Sequence, residues 1–123
     1  MTFDLPFPPS VNTYWRSIGR GRVILSEKGR EYRKACLLWL SRQGVPRIDG
    51  RLAVTLSVFP PDARRRDLDN LPKGLLDALT HAQVIVDDEL IDDLRITRGP
   101  KQKGGLVQVT ILNANHTTPE SAR

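Results

Sequence analysis

The sequence predicts an α+β fold, a single domain in which helices pack on a mixed β-sheet. Three observations carry this. The chain has 123 residues, the size of one domain, and a chain of that size buries roughly two-thirds of its unfolded surface, enough for one modest core. Short alternating or apolar runs bounded by Pro and Gly read as strands. Two longer segments between them repeat their apolar residues at helical spacing.

The elements follow in order. "TFDLPF" alternates and stops at "PPS", a first strand. "VNTYWRSIGRGR" reads as a loop with two glycines, and "RVILS" as a second strand. Ser26 can cap the helix that follows, with Glu27 near the positive end of its dipole. That helix is expected to reach Ser41, with Tyr32, Cys36, Trp39 and Leu40 on its buried stripe and Lys28, Arg33 and Lys34 largely off it. "RLAVTLSVFP" is the clearest strand, because Leu52, Val54, Leu56 and Val58 make one face strongly apolar. A second helix is expected from Asn70 to Thr80, burying Leu71, Leu75, Ala78 and Leu79. Pro72 is tolerated in a first turn, which supports a start near Asp69. "QVIVDD", "LIDDLRITRG" and "LVQVTIL" read as three further strands, giving the order β-β-α-β-α-β-β-β. The domain is expected to span 1–112, followed by a polar, disordered tail over 113–123.

Composition removes several function classes. One cysteine excludes an intrachain disulfide, and two histidines with it cannot build a conventional zinc site. No apolar run approaches the ~20 residues of a membrane span, and "MTFDLPFPPS" lacks signal-peptide character, so a cytoplasmic location is expected. Net charge is +5, a modest electrostatic case for a nucleic-acid partner. Its distribution says more: ten of 19 basic residues lie between Arg16 and Arg51, four more between Arg95 and Lys103, and nine of 14 acids between Asp62 and Asp93. A simple DNA-coating protein has little use for such an acidic centre.

That centre contains "RRRDLDNLPK", Arg64 to Lys73. In an extended segment Asp67 and Asp69 point the same way. Within a helix Asp69, Lys73 and Asp77 share a face at i, i+4, i+8. Asp87 and Asp88 end a strand, where adjacent residues point to opposite faces, and the residues alone do not choose between them. Converging carboxylates need a cation; hard Mg²⁺ takes oxygen ligands of this kind, with Mn²⁺ able to substitute. Arg64, Arg65 and Arg66 would attract phosphate toward them. A helix cap, a solvated acid doublet and a Lys73 ion pair with Asp69 or Asp77 account for the same residues without chemistry.

Two other stretches bear on nucleic acid. Asn12, Tyr14, Trp15 and Arg16 can contact or stack on DNA, although Tyr14 and Trp15 read more readily as core beneath a Pro-rich turn. Arg20 and Arg22, with Lys101 and Lys103 in the Gly-rich turn, have the placement of phosphate contacts or of ordinary surface charges. Trp39 and Cys36 read as core.

"RRRDLDNLPKGLLDAL" followed by "VDD" resembles the RusA-type Holliday junction resolvases, as do "LPFPPSVNTYWR" and "SEKGREYR" near the N-terminus. The resemblance covers most of the chain and implies a RusA-like fold in a bacterial or phage-encoded protein. It also implies three aspartates that hold metal and a supporting lysine, falling on Asp67, Asp69, Asp88 and Lys73. Asp88 is thereby preferred to Asp87. Asp77 and Asp87 would stand behind the ligands, Asp77 reading equally as a surface acid. The implied activity is Mg²⁺-dependent endonuclease cleavage of branched DNA by a homodimer, with paired symmetric nicks, 5′-phosphate ends and no organic cofactor. A flap- or fork-selective nuclease and a noncatalytic junction-binding protein are the rival expectations; the latter would gain by losing these acids.

Overall fold

The computed structural model describes residues 1–114. Its axis is strand β4, Leu52–Phe59, whose alternate residues Leu52, Val54, Leu56 and Val58 are all buried. Period-2 alternation puts these four on one face, so helices must cover that face. Strand β6, Leu106–Asn113, pairs antiparallel with β4 and adds Val107, Val109 and Ile111 to the same side. β1, Thr2–Leu5, pairs antiparallel with β6, and β5, Ile91–Arg98, pairs parallel with β4, giving the order β1-β6-β4-β5. The mixed sheet and α+β class are as the sequence predicts.

Two helices cover the apolar face. α2, Glu27–Gln43, starts at Ser26, whose hydroxyl accepts the Gly29 N–H at 2.9 Å, and ends at Gly44 in the left-handed region (φ 64°). Its buried stripe is Gly29, Tyr32, Cys36 and Leu40, while Trp39 is only half-buried. Burial pushes the Cys36 thiol up to about 12, so this cysteine is an inert core residue. α3, Pro72–His81, supplies the crossover that the parallel β4–β5 pair requires and buries Leu75, Leu76, Ala78 and Leu79.

Four expectations are corrected. "QVIVDD" is not a strand: Gln83 turns left-handed (φ 63°), and Val84 and Ile85 enter the core as a bend. Val84 N–H bonds Leu79 O at 3.1 Å, and Val84 O accepts from Ile48 at 2.8 Å, so no sheet neighbour is left to it. "VNTYWRSIGRGR" is not a loop throughout. It forms a helical turn α1, Val11–Tyr14, then strand β2, Trp15–Gly19, paired antiparallel with β3, Arg22–Leu25, in a separate two-stranded ribbon. The second helix begins at Pro72, and Leu68–Asn70 form a 3-10 turn before it. Asn113, assigned to the tail, ends β6 and donates to Asp49 O at 2.7 Å, and the Ala114 N–H bonds Arg51 O at 2.8 Å; residues 115–123 of that tail lie outside the described residues.

Tyr14, fully buried, joins these parts. α2 passes it through Gly29, where an added Cβ would lie 2.5 Å from the Tyr14 carbonyl oxygen; α3 passes it through Gly74, where a Cβ would lie 2.8 Å from the ring. Helix propensity alone favours Gly→Ala by up to ~1 kcal/mol. A backbone oxygen cannot yield as a flexible side chain can, so overpacking dominates at Gly29. Gly29→Ala is expected to destabilise the fold by about 1–3 kcal/mol in urea unfolding; a net gain would show that α2 and Tyr14 are not in close contact.

Candidate active site

Two turns carry the acids. In the first, Asp67 is extended (φ −87°, ψ 133°) and its carbonyl accepts the Asn70 N–H at 3.2 Å. Leu68 packs on the core and seats the turn against β5, leaving Asp67 and Asp69 exposed. The second is a 3-10 turn over Asp88–Leu90, packed against α3. Asp87 precedes it, and its carboxylate accepts the Glu89 N–H at 3.2 Å. Both turns therefore flank the start of α3, where Lys73 follows Pro72.

The local geometry differs from that expected. Asp67 and Asp69 are not two residues of one extended run, because Asp69 lies inside the 3-10 turn. Asp69 also precedes α3, so only Lys73 and Asp77 share that helix's face. Asp87 and Asp88 do not project from a strand to opposite sides; their carboxyl groups hydrogen-bond to each other. That bond, partial burial and the charge of Asp87 raise the Asp88 pKa, against the opposing pull of Lys73. The Glu89 N–H, with the bond to Asp88, holds Asp87 below the usual carboxylate range. Asp88 thus retains its proton more readily, as crowded carboxyls do.

A cavity of about 400 Å³ brings Lys73, Asp77 and Asp88 together under Trp15 and Val23 of the β2–β3 ribbon. Among the described residues Lys73 has no ion-pair or hydrogen-bond partner; only its charge acts on Asp88. Asp77 is neither a surface acid nor a partner of Lys73. Its Oδ2 accepts from Arg33 Nε at 3.0 Å, from Arg33 Nη2 at 2.8 Å and from the Tyr14 hydroxyl. Burial and then the bond to Asp77 raise the Tyr14 phenol far above its ordinary 10.0, although Arg33 opposes them.

Asp67 faces a second cleft, of about 530 Å³, together with Asn12, Lys28, Arg64 and Arg65. A smaller cleft of about 370 Å³ shares the arginine run and adds Arg98 and Lys101. The three arginines divide. Arg66 is a brace: its Nη1 binds Asp62 at 2.8 Å, its guanidinium lies 5.3 Å from the centroid of the Phe7 ring, and its carbonyl accepts from Arg98. Arg64 and Arg65 are exposed beside it. Arg16, Arg20 and Arg22 lie on the ribbon and Lys103 in the turn before β6, all exposed and apart from the residues that line these clefts. Trp15 is half-buried, with its indole N–H enclosed and unpartnered among the described residues.

Lys28, Arg33 and Arg98 were not singled out by the sequence as site residues. The off-stripe position of Lys28 and Arg33 on α2 was a usable signal, since a helix charge facing neither core nor helix partner faces something else. The reach of Arg33 to Asp77 needed the packing of two helices.

The aspartates have the chemistry of a hard-cation site. Asp67 and Asp69 are exposed oxygen donors without hydrogen-bond or ion-pair partners among the described residues, while neighbouring Asp62 and Asp77 are each held by arginine. Among the described residues no three Asp, Glu, His or Cys side chains form a ready-made metal cage. Mg²⁺ does not require one, because it keeps waters and takes one or two carboxylates together with substrate phosphate oxygens. The donors therefore fit such an ion as an open site.

A family model for endodeoxyribonuclease RusA matches residues 6–112. The chain belongs to the RusA family. The crossover junction endodeoxyribonuclease rusA of Enterobacteria phage HK97 is 44% identical over 110 residues, covering 89% of this chain and 91% of that protein. Crossover junction endodeoxyribonucleases RusA of Escherichia coli O139:H28 and of Shigella sonnei are 40% identical over 114 residues, covering 89% and 92%. RusA membership makes the chain an endodeoxyribonuclease by class and agrees with the fold class and the family resemblance read from its sequence. Among the described residues no helix is long and apolar enough to cross a membrane.

Both tyrosines of the chain, Tyr14 and Tyr32, are raised above 10.0, Tyr32 chiefly by burial. A phenol whose folded pKa exceeds its unfolded one contributes stability that is intact below the unfolded value and is lost as pH rises past it. Above pH 10.0 tyrosinate absorbance is therefore expected to appear only together with loss of the far-ultraviolet dichroism of the fold. Ionisation of either tyrosine near pH 10.0 with the dichroism unchanged would contradict the buried hydroxyl network.

Proposed function

We propose that this chain is a Mg²⁺-dependent endodeoxyribonuclease that resolves four-way DNA junctions by paired nicks, acting as a homodimer. The observation that carries the reading is the pattern of commitment among the acids. Asp62 and Asp77 are bound by arginines, whereas Asp67 and Asp69 are exposed and free of such partners among the described residues. Asp88 stands beside an unpaired Lys73. Exposed carboxylates without an arginine partner are the ones left available to a cation.

The residues divide the work by their chemistry. Asp67, Asp69 and Asp88 would hold the divalent ion, which when bound activates water and stabilises the leaving oxygen. Lys73, whose ammonium is unspent, offers its charge to the phosphoryl oxygens as charge accumulates on them. Arg64 and Arg65 bind flanking phosphates, supported by Lys28, Lys101 and Asn12 along the clefts. Arg16 and Arg20 extend the basic surface along the ribbon, and Lys103 extends it at the turn. Hydrolysis in this manner leaves 5′-phosphate and 3′-hydroxyl ends. A four-way junction has two-fold symmetry, so two matched nicks need two sites related by the same symmetry, which a homodimer supplies. The names of the phage and enterobacterial relatives, all crossover junction endodeoxyribonucleases, support the choice of substrate.

Cleavage of a synthetic four-way junction with Mg²⁺ or Mn²⁺, beside a linear duplex of the same sequence, tests the reading. Paired symmetric nicks in the junction are expected, and Asp69→Asn is expected to abolish them while junction binding persists. Equal cleavage of flaps and forks would replace junction selectivity with a broader preference, and binding without cleavage would leave a binding protein. Salt dependence provides an independent check. Each phosphate contact contributes about 0.9 to the slope of log affinity against log salt. The double change Arg64→Ala, Arg65→Ala is therefore expected to flatten that slope by roughly 1.8, and an unchanged slope would remove both arginines from the interface.

A further inference from the structure

Lys73 and Asp77 stand four residues apart on α3, both lining the cavity that holds Asp88. Opposite charges at this spacing lie on one helix face and attract each other. Nevertheless they do not pair. Arg33 reaches across from α2 and places Nε and Nη2 at 3.0 and 2.8 Å from Asp77 Oδ2, with the Tyr14 hydroxyl donating to the same oxygen. The pair is about three-quarters buried, with side-chain exposures of 25% and 26%, so it is shielded better than a surface ion pair. Asp77 is thereby occupied, and Lys73 is left with Asp88 as the charge acting on it.

We propose that Arg33 is a positioning residue: by neutralising Asp77 it prevents that carboxylate from capturing Lys73, and so keeps the lysine free for the phosphate at the active site. The inference rests on the nuclease reading for its effect on rate, but not for its effect on Lys73. Without Arg33, Asp77 is a part-buried carboxylate whose Tyr14 hydrogen bond supplies no charge. Lys73, one turn away and exposed, is the lysine on the same helix face. Its capture would empty the place beside Asp88 without disturbing Arg64 or Arg65, so catalysis falls while DNA affinity is retained. Arginine suits the task because its planar fork holds one oxygen through two donors, which a lysine does less rigidly.

Two readouts test this, one without DNA. In Arg33→Met the Lys73 side-chain ammonium resonance, assigned by its loss in Lys73→Arg, is expected to shift, and in Arg33→Met, Asp77→Asn to return toward its original position. An unmoved resonance in Arg33→Met overturns the inference whether or not the wild-type protein cleaves DNA. Under single-turnover conditions with saturating junction, Arg33→Met is expected to cut at least ~10-fold more slowly, less than the ~100-fold that deleting a preorganised donor outright costs because the lysine is diverted and not removed, with binding within ~2-fold of wild type. The added Asp77→Asn change should recover most of that rate, as should the charge-conserving Arg33→Lys. If the double variant is as slow as Arg33→Met, or if Arg33→Lys is equally slow, Arg33 braces the fold and does not act through Lys73. A wild-type protein that cuts no junction would count against the nuclease reading alone, because the resonance measurement still decides the role of Arg33.

Discussion

The buried phenol of Tyr14 is where the fold and the site are joined. Its ring fills the space that Gly74 of α3 leaves open, its carbonyl sits against Gly29 of α2, and its hydroxyl meets Asp77 of α3 and Arg33 of α2. Hydrogen bonds to charged groups of this type contribute on the order of 1–3 kcal/mol, less the solvent screening that partial exposure brings. Their larger effect is geometric. With Tyr14 as a common anchor, α3 starts at a fixed place beside the turn that carries Asp88, and the turn that carries Asp69 must end there too. An isolated helix of ten residues is marginal on its own, so packing of this kind has to hold it.

That anchoring permits an unusual distribution of charge. Around the site, arginines neutralise the acids that build the structure: Arg66 takes Asp62 and Arg33 takes Asp77. The acids of the "DLDN" turn are left exposed, and Lys73 is left beside Asp88. The hydrogen bond to Asp87, partial burial and the charge of Asp87 together make Asp88 give up its proton reluctantly. A divalent cation and a polyanionic strand relieve opposite halves of this arrangement, the carboxylates on one side and the arginine-lined clefts on the other.

The sheet was legible in the sequence because β4 and β6 alternate cleanly and each packs one face only. α2 was legible through Ser26, Glu27 and its Tyr32–Cys36–Leu40 stripe. "QVIVDD" misled because a short apolar run fits a buried bend as well as a strand, and the positive φ of Gln83 is not written in its neighbours. The β2–β3 ribbon was half seen: its second strand was clear, but Trp15–Gly19 pairs with it across glycines that read locally as loop. In the site, the motif named Asp67, Asp69, Lys73 and Asp88 without showing that Lys73 and Asp88 share a cavity while Asp67 lines a different cleft. The seating of the 3-10 turns against β5 and α3, and the Arg33–Asp77 bond across 44 positions, depend on contacts between separate elements, which no local pattern encodes.

The central claim is that the two acidic turns serve one metal, although Asp67 lines one cleft and Asp88 another. It is tested most directly by titrating Mn²⁺ into the protein bound to a junction with uncleavable linkages, following the bound ion by electron paramagnetic resonance. One tight population is expected, lost or strongly weakened in both Asp67→Asn and Asp88→Asn. If Asp67→Asn removes that population while Asp88→Asn leaves it unchanged, the turns do not share an ion and the account of the site fails.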